Sequence, residues 1–157
     1  MMRSARRSGS GVTLPAIGVS RKTERSFHLS WEGQSFERLC LLHVDQIKKA
    51  LGISGIGCEV YSWRAHAGSK AERGAQIDLV LERQDGNVNL CEMKFYSTPY
   101  EITAEEETKL LNRREAFRTD TGTSANCRIT IIAAEGVKPG AHSGVAQNIL
   151  SIDDLLD

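Results

Sequence analysis

Neither sign of charge is in excess in this chain: Lys plus Arg and Asp plus Glu both total 20 across 157 residues. Overall charge therefore points to neither a nucleic acid nor a membrane surface as partner. No stretch approaches the roughly 20 consecutive apolar residues of a membrane span, and the N-terminal arginines lack the apolar segment of a signal peptide. A cytoplasmic protein with no membrane partner is expected. Cysteine is sparse and scattered. Cys40, Cys58, Cys91 and Cys127 form no C-x-x-C pair, which argues against a zinc site or a disulfide framework and leaves reduced thiols in the core. Gly52, Gly55 and Gly57 do not spell G-x-G-x-x-G, and no internal repeat is visible. His28, His43, His66 and His142 show no ligand spacing, with His43 placed on a helical stripe. "GAHSG" sets Ser143 one position off a nucleophile elbow and reads as a turn.

What is present is enough for one domain with a sizeable core. Its charge is unevenly distributed. Residues 1–29 hold six basic side chains against one acidic, leaving 14 basic and 19 acidic in residues 30–157. The first 29 residues, rich in Ser, Gly and Arg and without a sustained period, are expected to be a disordered basic extension, a remnant of an upstream segment or an arm for nucleic acid. From Ser30 a pattern emerges. Phe36, Leu39, Cys40, His43, Val44, Ile47 and Leu51 fall at helical spacing, predicting one long amphipathic helix that ends near Gly52. "CEVYSWRA" alternates as a strand does, and "QIDLVLERQDGNVNLCEMKF" reads as two strands around a tight turn. Thr103 to Glu106, "TAEE", is a capping-box signal for a helix to about Phe117. "CRITIIAA" suits a buried central strand, and "QNILSIDDLLD" a short strand followed by a helical turn capped by Ser151.

The two-stranded stretch places charge among apolar residues. Residues two apart share a strand face, so Gln76, Asp78, Val80 and Glu82 belong together, as do Glu92 and Lys94. Two turns are open. A two-residue "DG" turn would set Asp78 opposite Met93 and the charges on opposite faces. A three-residue "QDG" loop with Gly86 in the left-handed conformation would set Asp78 opposite Glu92, with Cβ atoms about 4.5–5.5 Å apart and Lys94 one step along. Opposed carboxylates destabilise a sheet unless a cation lies between them, and two carboxylate oxygens suit Mg²⁺ or Mn²⁺. A lysine beside such an ion suits phosphodiester hydrolysis, orienting or deprotonating water and offsetting charge on phosphate.

Asp78, then Glu92-Met93-Lys94 across a hairpin, preceded by a helix with Glu37, resembles the PD-(D/E)XK nuclease superfamily over residues 31–152. More closely, "SFERLCLLHVDQIKKALGI", "EVYSWRA" and "GAQIDLVLERQDGNVNLCEMKFYSTPYEI" are similar to the C-terminal nuclease-like domain of prokaryotic ATP-binding proteins that carry an AAA-type ATPase. The resemblance implies an α/β restriction-endonuclease-like core, α-β-β-β-α-β, with a mixed central sheet flanked by helices, occupying residues 30–157. It implies Asp78 and Glu92 as metal ligands with the backbone carbonyl of Met93 as a third, Lys94 acting on the nucleophilic water and Glu37 at the edge of the site. DNA is the implied substrate. An AAA-type ATPase and a second copy of the chain are the implied partners. Ile77 stands where the motif's name has proline, no Q-x-x-x-Y follows Lys94, and there is no P-loop. Gln76, together with Lys70 and Arg73 in the loop that also holds His66, is a candidate substrate contact. So are Lys109 and Arg113, which with Arg114 and Arg118 predict a basic strip on the second long helix. The alternative expectation is a nuclease-like module that serves as an interaction domain for the ATPase.

Overall fold

The expected long helix is broken at His43. In the computed structural model, which describes residues 21–66 and 74–157, α1 spans Arg21–Leu42 and α2 spans Val44–Ala50. His43 leaves helical backbone at φ −114°, ψ 32°, and its ring Nδ1 lies 2.8 Å from the Leu39 carbonyl. The apolar stripe survives the break: Phe36, Cys40 and Ile47 are buried, with Leu39, Val44 and Leu51 packed beside them. Gly52, at φ 70°, ends α2 as expected. Its N–H reaches the Lys49 carbonyl and the Ile53 N–H reaches that of Lys48, the bond pattern of a Schellman cap. Helical backbone begins at Arg21, ahead of the boundary expected at Ser30, and residues 1–20 of the basic extension lie outside the described residues.

The fold is α/β. Strands β1 (Cys58–Arg64), β2 (Gln76–Arg83) and β3 (Asn87–Lys94) are followed by α3 (Ala104–Thr121), β4 (Asn126–Ala133), a single 3₁₀ turn, β5 (Asn148–Leu150) and α4 (Asp153–Leu156). They form one five-stranded sheet in sequence order. The β1–β2 and β2–β3 pairs are antiparallel, while β3–β4 and β4–β5 are parallel. On one face Leu79, Leu81, Cys91, Met93 and Ile132 pack against α1, α2 and Leu155 of α4. On the other, Ile77, Val80, Val88 and Leu90 meet Phe117 of α3, and Ile129 and Ile131 meet Leu110. All four cysteines are free, three of them buried, as expected.

The hairpin turn takes the second of its two open forms. Glu82 pairs with Val88 and Leu81 with Asn89, which leaves Gln84, Asp85 and Gly86 as the loop, with Gly86 at φ 80°. A Cβ in that conformation costs about 1–2 kcal/mol. Gly86→Ala is therefore expected to lower unfolding free energy by that amount at unchanged denaturant slope, read by chemical denaturation.

Strict alternation along β2 fails. Tyr61 pairs with Val80 but Trp63 with Ile77, so one extra residue of β2 bulges between them. Ile77 and Val80 consequently share the α3 face, and Gln76, Asp78, Val80 and Glu82 do not form one side as parity alone predicted. The α3 cap is as expected, with Thr103 Oγ1 accepting the Glu106 N–H at 3.2 Å, but the helix runs past Phe117 to Thr121, where Gly122 at φ 65° closes it. Ser151 does not cap α4. Its N–H and hydroxyl both donate to Asp154 Oδ2, at 2.7 and 2.9 Å.

Candidate active site

Asp78 sits in the bulge, where the β2–β3 ladder stops at Leu79 and Cys91. Its Oδ2 accepts the Met93 N–H at 3.0 Å. The bond joins the two strands at the site through the Met93 amide. Burial first, then the Glu92 carboxylate, push the Asp78 pKa up to about 6, with Glu37 adding to the rise and the Met93 N–H and Lys94 opposing it. Glu37 is half-buried on α1, between Phe36 and Cys40 of the packed stripe. The Cys40 thiol reports the same field. Burial and then Asp78 raise it to about 12, with Glu37 adding, which keeps it an unreactive thiol.

Glu92 is 8% exposed on β3 and faces α3. Its Oε1 is met by Lys94 Nζ at 3.0 Å and by Arg113 Nη1 at 2.6 Å. Arg113 is therefore not part of an outward basic strip. It lies on the same helical stripe as Glu106, Leu110 and Phe117 and turns inward with them. Lys109 does stay outside but is paired with Glu105 at 2.7 Å and Glu106 at 3.4 Å, so the strip offers fewer free cations than its sequence suggests.

Lys94 has further partners that sequence reasoning missed. Glu106 Oε2 lies 3.8 Å from its Nζ, and the Tyr100 ring centroid 5.6 Å away. Tyr100 donates its hydroxyl to Glu106 Oε2 at 2.7 Å, and that bond, with Lys94 adding, holds Glu106 below the usual carboxylate range. Tyr96, 49% exposed, stacks on Tyr100 at 5.4 Å with the rings 11° apart. A signal for Glu106 and Arg113 was available: both stand at i ± 4 or i + 3 from Leu110, so an inward Leu110 brings them over the end of β3.

The other candidates are placed more simply. Gln76 Oε1 accepts from Arg64 Nη2 at 2.9 Å across the β1–β2 pair. His66 lies 3.7 Å from Asp120, which also accepts the Trp63 indole N–H at 3.0 Å. Lys70 and Arg73 fall outside the described residues. Ser143 donates to the Gly140 carbonyl at 2.9 Å, a local turn bond.

Asp78, Glu37, Glu92 and Lys94 thus share one neighbourhood at one end of β2 and β3. Among the described residues no three His, Cys, Asp or Glu side chains stand close enough to hold a metal ion between them. The donors fit a cation that brings most of its own waters and needs one or two carboxylates, as Mg²⁺ does, rather than an ion caged by protein. Among the described residues no helix is long and apolar enough to cross a membrane. Neither the protein-family models, nor the curated proteins, nor the solved structures compared with this chain match it.

Proposed function

We propose that this chain is a metal-dependent nuclease that hydrolyses phosphodiester bonds of DNA, built on a restriction-endonuclease-like core. The order helix, three antiparallel strands, helix, parallel strand supports that core. The observation that carries the reading is Asp78. A largely buried carboxylate, with an amide N–H as its hydrogen-bond partner and two further carboxylates in its field, is held in an energetically unfavourable state. Sites of that kind are made for function rather than stability.

Asp78 and Glu92 would hold Mg²⁺ or Mn²⁺, with Glu37 reaching it through water. The bound ion would supply Lewis-acid charge to the scissile phosphate. Lys94, ion-paired to Glu92 and flanked by Glu106, would donate hydrogen bonds to the attacking water and to the phosphate oxygens as their negative charge grows. In the reaction the water oxygen bonds to phosphorus and gives up a proton to solvent, while the bridging P–O bond breaks and the leaving oxygen takes a proton from solvent. The half-exposed Tyr96 ring, stacked on the Tyr100 that Lys94 lies over, offers a base-stacking face.

Arg113 favours a second reading. With a guanidinium already on Glu92 at 2.6 Å, a divalent cation is not needed to neutralise that carboxylate. A catalytically silent module that binds an AAA-type ATPase would have this arrangement. The two are separated by incubating plasmid, linear, single-stranded and branched DNA with the purified chain and Mg²⁺ or Mn²⁺, beside a chelator control. Metal-dependent cutting supports the nuclease. No cutting, together with no Mn²⁺ binding by calorimetry and a measurable complex with an ATPase subunit, supports the module. Tight Mn²⁺ binding that vanishes in Asp78→Ala counts against the module.

A further inference from the structure

At the other end of the same strands lies a cavity of about 200 Å³ lined by Arg83, Asn89, Arg128 and Asn148 and by the turn that ends α2. It is separated from Asp78 by about 16 Å along β2, at roughly 3.3 Å per residue. Among the described residues no acidic side chain lines it. Arg83 gives its terminal nitrogens to Asn89 Oδ1 and to the Asp85 carboxylate, and its Nε is buried with no hydrogen-bond partner among the described residues. Arg128 Nε is orphaned in the same way. Asn89 is fully committed: its Oδ1 accepts from Arg83, and its Nδ2 donates to Thr130 Oγ1 at 3.0 Å and to Asn148 Oδ1 at 3.3 Å. That orientation leaves the Asn148 amide nitrogen as a further donor.

Both Nε atoms are closed off from the cavity, so the donors open to a molecule in it are the Arg128 terminal nitrogens, which have no hydrogen-bond or ion-pair partner among the described residues, and the Asn148 amide. The lining supplies donors and positive charge, which selects an anion. Arg128 and Asn148 stand on β4 and β5, so the anion must present oxygens in several directions at once. A planar carboxylate presents two, a tetrahedral oxyanion more, and arginine is the residue whose fork matches phosphate.

We propose that this cavity binds a phosphate group, either inorganic phosphate or the terminal group of a small phosphomonoester such as a nucleoside monophosphate. The inference stands independently of whether the chain cuts DNA. The test is calorimetric titration of the full chain with inorganic phosphate and with a nucleoside monophosphate, at fixed ionic strength and with a chelator present so that metal-bridged phosphate is excluded. Saturable binding is expected, weakened about tenfold or more by Arg128→Gln and by Asn148→Asp, the loss of one charge-assisted bond. Asn148→Asp keeps the acceptor for Asn89 while setting a negative charge against the ligand, so it decides the matter should Arg128→Gln fail to fold. Tighter binding of the monophosphate identifies the phosphate as part of a larger ligand, and equal binding identifies free phosphate; both support the site. No saturable heat beyond that of chloride, an unchanged affinity in Asn148→Asp, or a dicarboxylate binding more tightly than phosphate would each overturn it.

Discussion

Lys94→Ala is expected to reduce metal-dependent DNA cleavage by about 10²–10³-fold or more, the scale on which a positioned donor to developing charge acts in a water-poor site. The fold should tolerate the change. The Lys94 side chain is 20% exposed, and removing it leaves Glu92 with Arg113 at 2.6 Å, so no buried carboxylate is stranded. Circular dichroism should be unchanged and melting should shift by no more than about 1 kcal/mol, the scale of a partly exposed ion pair. Asp78→Ala should be as inactive, for a different reason: it removes a ligand rather than a donor. Single-turnover cleavage of a defined substrate separates the two, since Lys94→Ala should keep its Mn²⁺ affinity and Asp78→Ala should lose it. Undiminished cleavage by both variants would sink the nuclease reading.

Where the sequence was legible, local rules were sufficient. Thr103 caps α3, Gly52 closes α2 and Gly86 turns the hairpin because each depends on residues a few positions away. The hairpin register mattered most, since it places Asp78 at the end of β3 near Glu92 and Lys94, and sequence left it open between two turns. What was not legible depends on partners distant in the chain. The β2 bulge is defined by its mismatch with β1, across a loop of unrelated sequence, and no alternation rule within β2 reveals it. The break at His43 interrupts no apolar position, so the stripe reads the same with or without it. Arg113 reads as a solvent-facing cation because its spacing from Lys109, Arg114 and Arg118 suggests one exposed helix face. Its inward course follows from Leu110 and Phe117, whose burial is a tertiary fact. The Asn89–Arg83–Asn148 cluster lay hidden for the same reason, its members being drawn from three strands.

Asp78→Asn is expected to stabilise the protein at neutral pH. The folded chain holds this carboxyl at a pKa of about 6, through burial and then through Glu92. In the unfolded chain it returns to about 3.9. A raised carboxyl pKa means that the folded state binds the proton more tightly, so stability falls as pH climbs from about 4 to about 6 and stays low above that window. The difference corresponds to roughly 2–3 kcal/mol at pH 7. Asparagine cannot ionise, and its carbonyl oxygen can still accept the Met93 N–H. The variant should therefore unfold at higher denaturant than wild type at about pH 7.5 and match it below about pH 3, where Asp78 is protonated in both states. Saturating Mn²⁺ should narrow the gap at neutral pH by raising wild type alone, by about 2.7 kcal/mol at a hundredfold excess over Kd. A variant less stable than wild type at pH 7.5 would mean that the Asp78 carboxylate is compensated by protein groups. That result would remove the strain on which the active-site assignment rests. A variant that is more stable and inactive would show one residue whose charge costs the fold what the chemistry requires.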